Sequence, residues 1–154
     1  MAFKIVRDTK IQWFQYRILT TNVFLKKKMK IKENDDCSFC NGYQETITHL
    51  LCECRKVNMI WNFVRAKICK RCKLTVDFTK DTILLGHSNK CINIVILFVK
   101  FYIYKSRCFV VKPSVQGLLS HLYDCYQTNR YIATLEQRSD RFEYDWKYVN
   151  MIIN

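Results

Sequence analysis

Four residues of metal-binding type stand within eighteen positions: Cys37 and Cys40, then His49, then Cys54. Two thiolates separated by two residues can grip one zinc ion from a tight turn, and Asn41-Gly42 supplies residues that such a turn tolerates. A helix over residues 46–51 would project His49 toward that turn. Cys54, just past the helix and five residues after His49, would then close a Cys3His tetrahedron. The spacing favours Cys54 for the fourth position and leaves Cys52 as a competitor. A rival arrangement joins Cys37 and Cys40 to Cys69-Lys-Arg-Cys72 in a four-cysteine ribbon, although a spacer of 28 residues is long for that pattern. Cys91, Cys108 and Cys125 read as packing residues. Any one of these cysteines alone would be read as a small buried hydrophobe, and His49 alone as a core histidine. The ordered set of four makes zinc the better reading.

No other constellation carries chemistry. Paired carboxylates, a nucleophile with an adjacent base and a glycine-rich phosphate loop are all missing, and His87 and His121 stand alone. The chain therefore reads as non-catalytic, with no small-molecule substrate. Nine cysteines, an odd number, and a start that alternates charges with single apolar residues suggest a reducing, intracellular setting rather than a disulfide framework.

The elements that must position the four ligands follow from apolar spacing. Ile11, Phe14 and Ile18 recur at helical intervals, which predicts a helix near residues 8–19. Thr21 or Asn22 would cap a following short helix that carries Val23, Phe24 and Leu25 into Lys26-Lys27-Lys28-Met29-Lys30-Ile31-Lys32. Val57, Ile60, Trp61, Val64 and Ile68 draw the apolar stripe of a second helix. Residues 75–86 read as an extended connection. Cys91 to Val111 is the most apolar stretch, but its uncharged run, Cys91 to Val99, is well short of the ~18 residues a membrane span needs, so a buried helix is expected. After Pro113, apolar residues step by three and four as far as Val149 if Asn129 and Ser139 fill two gaps, which predicts one long helix or two nearly collinear ones. The fold class is mainly α: a helical domain with a small zinc knuckle and a long C-terminal helix. The chain divides into a basic helical segment with the knuckle, residues 1–74, and a helical tail, residues 75–154.

Charge separates these parts. The 154 residues carry +13, and residues 1–73 hold 16 basic and 6 acidic side chains, net +10. Such a balance favours an anionic partner. Lys26, Lys27, Lys28, Lys30 and Lys32, with Arg55, Lys56 and Arg65, are the candidate phosphate contacts. Phe39 and Tyr43 flank the metal turn and either stack on unpaired bases or pack over the knuckle.

Trp13 to Leu19, Thr21-Asn22, Leu25, the Cys37/Cys40 pair, Glu45-Thr46-Ile47, His49-Leu50, Cys54 and Trp61 together resemble the zinc-binding region that follows the reverse transcriptase domain of LINE-type (non-LTR) retrotransposon polyproteins. Ile83 to Gly86, Ile103 to Arg107 and Phe142 to Trp146 look like the less distinctive tails of the same proteins. The resemblance implies a fragment that contacts element RNA or single-stranded or nicked target DNA. The long C-terminal helix would offer a docking surface to a reverse transcriptase domain or to another helix. The polymerase's own aromatic-x-Asp-Asp site is not reproduced: Asp35-Asp36 has Glu33 at the aromatic position and reads as a turn. An alternative is that zinc only stabilises the fold and the module docks protein.

Overall fold

In the computed structural model, residues 6–23, 25, 35–73 and 75–154 are described. Lys26, Lys27, Lys28, Lys30 and Lys32 lie outside them. The described residues fold into α-helices with a single antiparallel bridge, Asp36 to Gln44. Helix α1 (Thr9–Leu19) is capped by the Asp8 carboxylate, which accepts from the Lys10 and Ile11 amides and satisfies two of the first-turn donors. It ends with Thr21 in the left-handed region (φ 55°); the Thr21 amide donates to Ile18 O and the Asn22 amide to Arg17 O. The helix expected to start at Asn22 does not begin there: residues 22, 23 and 25 are non-helical, although Val23 and Leu25 are buried.

Helix α2 (Arg55–Cys72) buries the predicted stripe, Val57, Ile60, Trp61, Val64 and Ile68. The segment after it differs from the extended connection expected, because residues 80–85 form α3 (Lys80–Leu85). Its signal is the Thr79 hydroxyl, which accepts from the Thr82 amide as an N-cap, an effect that outweighs the β-branched residues there. Gly86 ends α3 at φ 114°, and a Cβ there would meet the Asn93 side chain at 3.0 Å. Asn93 closes the same corner, accepting from the His87 amide and donating to His87 O.

Helix α4 (Lys90–Cys108) is the central element; every residue from Cys91 to Lys100 is buried. One of these is charged. The Lys100 ammonium donates to Gln15 Oε1 and Leu84 O, so one buried cation ties α4 to α1 and α3, and burial pushes it down to about 7.

The C-terminal stripe is long but not collinear. Helix α5 (Val115–Leu135) runs for 21 residues, and then Gln137 adopts φ 54° while the Gln137 and Arg138 amides close the helix end on Thr134 O and Ala133 O. The chain reverses into α6 (Ser139–Asp145) and α7 (Lys147–Ile153). Tyr126 thus packs against Phe142 with tilted rings, centres 5.3 Å apart, and donates to the Glu143 carboxylate at 2.7 Å. A continuous helix would hold residues 126 and 142 about 24 Å apart. Helix α7 returns over α5, α2 and α4, and one apolar core extends from Val6 to Ile152. No helix among the described residues is long and apolar enough to cross a membrane.

Candidate metal centre

The knuckle is built by backbone hydrogen bonds before any metal is considered. Cys37 N donates to Tyr43 O at 2.7 Å and Glu45 N to Asp35 O at 2.8 Å, closing a small loop across the Asp36–Gln44 bridge. Within it Asn41 takes φ 53°, a conformation asparagine tolerates, and its amide donates to Cys37 O. The Phe39 amide points at Cys37 Sγ, 3.5 Å away.

The other two donors come from a π-helical turn, residues His49–Glu53. Cys54 N donates to His49 O at 2.8 Å, a bond that spans five residues instead of four. In an α-helix, side chains five apart diverge by about 140°. The wider turn brings His49 and Cys54 round to one side, and such turns recur at functional sites. Trp61 anchors it from α2 by donating Nε1–H to Leu51 O at 2.8 Å.

The result is a cluster in which the donor atoms of Cys37, Cys40, His49 and Cys54 lie within 4.8 Å of one another. Cys37 and Cys54 Sγ are 3.9 Å apart, and Cys40 Sγ is 3.3 Å from His49 Nε2. A tetrahedral site with metal–sulfur bonds of ~2.3 Å has edges of about 3.5–3.8 Å, so this donor set could hold a metal ion with little rearrangement. Cys37 and Cys54 are fully buried and His49 nearly so. The Cys37 thiol donates to Cys54, so the pair favours a single thiolate. That contact holds Cys54 down at about 7, against burial and with help from the Lys56 and Val57 amides at the start of α2. The same contact, then burial, pushes Cys37 up to about 12.

Cys52 is not in the cluster. It belongs to the same turn but has Lys100, Glu53 and Lys80 as its charged neighbours, and burial pushes its thiol up to about 12. Cys69 and Cys72 are excluded from it by the helix they occupy. An 18-residue α2 sets Cys69 about 22 Å along the axis from Cys54, and Cys72 Sγ lies instead 3.1 Å from Met151 Sδ.

Two further residues complete the centre. Glu45 is fully buried; one carboxylate oxygen accepts from the Ser38 amide and hydroxyl, the other from Arg107 Nε and Nη2 at 3.0 and 2.8 Å. This carboxylate bolts the knuckle turn to α4. The sequence reading gave Glu45 and Arg107 no role. The available signal was that Glu45 is the one formal charge between Asp36 and Glu53.

Phe39 is buried and packs beneath the knuckle, which removes it as a base-stacking surface; Tyr43 is 69% exposed and lies 5.3 Å from the His49 ring. Tyr43, His49, Cys40, Gly42, Glu53 and Arg55 line an open recess of about 640 Å³. Of the candidate phosphate contacts among the described residues, Arg55 is exposed at this recess and Lys56 is half-buried. Arg65 is half-buried on α2, with its Nε covered and without a hydrogen-bond partner among the described residues.

No curated protein and no solved structure gives a significant match to the chain. Residues 3–61, the segment that contains all four clustered donors, match the family of zinc-binding regions in reverse transcriptase.

Proposed function

We propose that this protein is a non-catalytic, zinc-stabilised module that binds single-stranded or nicked nucleic acid, derived from the tail of a non-LTR retrotransposon reverse transcriptase. The observation that carries the zinc reading is the four-donor cluster, within 4.8 Å and largely buried. Cys37, Cys40, His49 and Cys54 would hold the ion, whose bound charge would fix the thiolates and clamp the knuckle to the start of α2. Four protein ligands leave no coordination position for water or substrate, which makes the role structural. Support for the nucleic-acid reading comes from the net +10 of residues 1–73 and from Arg55 beside the cluster.

Metal analysis together with salt-titrated binding tests both parts. The expected results are one zinc per chain and an affinity for short oligonucleotides whose logarithm falls linearly with log salt. Neutralising Lys26, Lys27 and Lys28 should reduce that slope by about two to three. A zinc-free folded protein whose stability survives Cys37→Ser with His49→Ala sinks the metal reading. A flat salt dependence sinks the phosphate reading.

The second reading, a protein-docking module, is favoured by one observation. Helix α5 leaves Tyr131, Ile132 and Leu135 exposed near its end, a set more typical of an interface than of a solvated face.

A further inference from the structure

Helix α1 has two aromatic faces. Its inner face buries Phe14 against Phe101 and Tyr104 of α4. Its outer face carries Trp13 and Tyr16, one helical turn apart, exposed by 57% and 43% and stacked on each other with ring centres 5.2 Å apart and planes 17° from parallel. The Arg17 guanidinium stands over the Trp13 ring at 5.7 Å. More than half of the Trp13 surface stays in contact with solvent, so a hydrophobic core does not account for it. The chain's other two tryptophans, Trp61 and Trp146, are 4% and 6% exposed.

From this arrangement we infer that the outer face of α1 is a stacking platform for unpaired bases of a single-stranded nucleic acid, with Trp13 and Tyr16 as the platform and Arg17 as its cation. The inference rests on the nucleic-acid reading above and adds a contact surface outside the lysine run and the knuckle. Three features select this occupant. Flat π surfaces take any base, because every base has a π face. The rings are already aligned by their mutual stacking, so little rotamer freedom is lost on binding. Arg17, Lys10 and the net +10 of residues 1–73 complement a phosphate backbone. A duplex, whose bases are stacked internally, offers this surface nothing but its ends.

Trp13 is its own reporter, since it is the exposed tryptophan of the three. The experiment titrates the full zinc-loaded chain with twelve-nucleotide oligo-U, oligo-dT and a blunt duplex of equal length, following tryptophan fluorescence and, separately, anisotropy of the labelled oligonucleotide. Both single strands should quench the tryptophan signal and the duplex should not; the ratio of the two single-strand affinities reports whether RNA or DNA is the better ligand. Trp13→Phe should abolish the quench yet keep most of the affinity. Trp13→Ala with Tyr16→Ala should weaken single-strand binding by about five- to a hundredfold per base lost, with the salt slope unchanged because no phosphate contact is removed. Circular dichroism of the double variant should match the parent, since both side chains are largely outside the core.

If the double variant binds single strands as tightly as the parent, the inference is wrong while phosphate binding stands, and the face is left for a protein partner. If the parent binds no oligonucleotide in a salt-dependent way, the nucleic-acid reading itself fails and the platform with it.

Discussion

The knuckle and the helical body around α4 are held by opposite means. Between Asp35 and Cys54 the chain makes its shape from backbone hydrogen bonds, one buried carboxylate and four clustered donor atoms that could hold a metal ion. From Cys91 to Lys100 nearly every side chain is apolar and buried, and the interior is filled by packing except at Asn93 and Lys100. The first region is specified by a few polar groups of high individual weight. The second is specified by many contacts of low weight, which spreads its stability over many residues.

Removing the metal should break that comparison most sharply. Chelation, or Cys37→Ser with His49→Ala, is expected to unfold the segment from Asp35 to Cys54, since structural zinc contributes on the order of 10 kcal/mol in small metal-dependent folds. Amide exchange should rise there first, while far-UV circular dichroism keeps most of the helix signal. A body that melts together with the knuckle would show that the two regions are one cooperative unit. Next in size, Arg107→Ala leaves the Glu45 carboxylate buried without its cation and should cost about 3–5 kcal/mol in urea unfolding. Replacing both partners, Glu45→Leu with Arg107→Met, should cost less than Arg107→Ala alone, which a double-mutant cycle measures.

The body has electrostatic signatures of its own. Lys100 is held at about 7 in the folded protein against 10.5 for a free lysine, so the unfolded chain binds more protons between those values. Stability should therefore climb as pH rises from about 7 to 10, and Lys100→Met should flatten that rise. His121, pushed down to about 4 by burial and then by Lys105, adds a loss of stability as pH falls below 6.5. The smallest effect lies at the end of α4. Val110 is 85% exposed yet sits at φ 56°, a conformation a β-branched residue adopts only under strain. Val110→Gly should raise stability by about 1 kcal/mol, read as an increase in the urea midpoint at constant slope.

The four clustered donors were legible because a Cys-x-x-Cys pair with a later histidine and cysteine has few other uses. Choosing Cys54 over Cys52 was not settled by spacing, because the answer depends on a π turn that no single residue announces. The stripes of α1 and α2 were legible from periodicity, and α4 from its apolar run. Where those helices stop was harder. With three glycines in the whole chain, the left-handed positions after α1, α4 and α5 fall to Thr21, Val110 and Gln137, and none of these is an ordinary stop signal. That is why the C-terminal stripe looked continuous through a reversal. The Glu45–Arg107 pair is 62 residues apart in sequence, and no local pattern could join its members.

The ion pair has a practical corollary for anyone who wishes to excise the matched segment. A cut after Trp61 would divide α2, discard Val64 and Ile68 from its buried stripe, and strand Glu45 without Arg107. Residues 3–61 are thus a unit of similarity whose fold is on loan from the rest of the chain. A portable version would have to carry α4 with it, or replace Glu45 and Ser38 by residues that can close the knuckle without a distant cation.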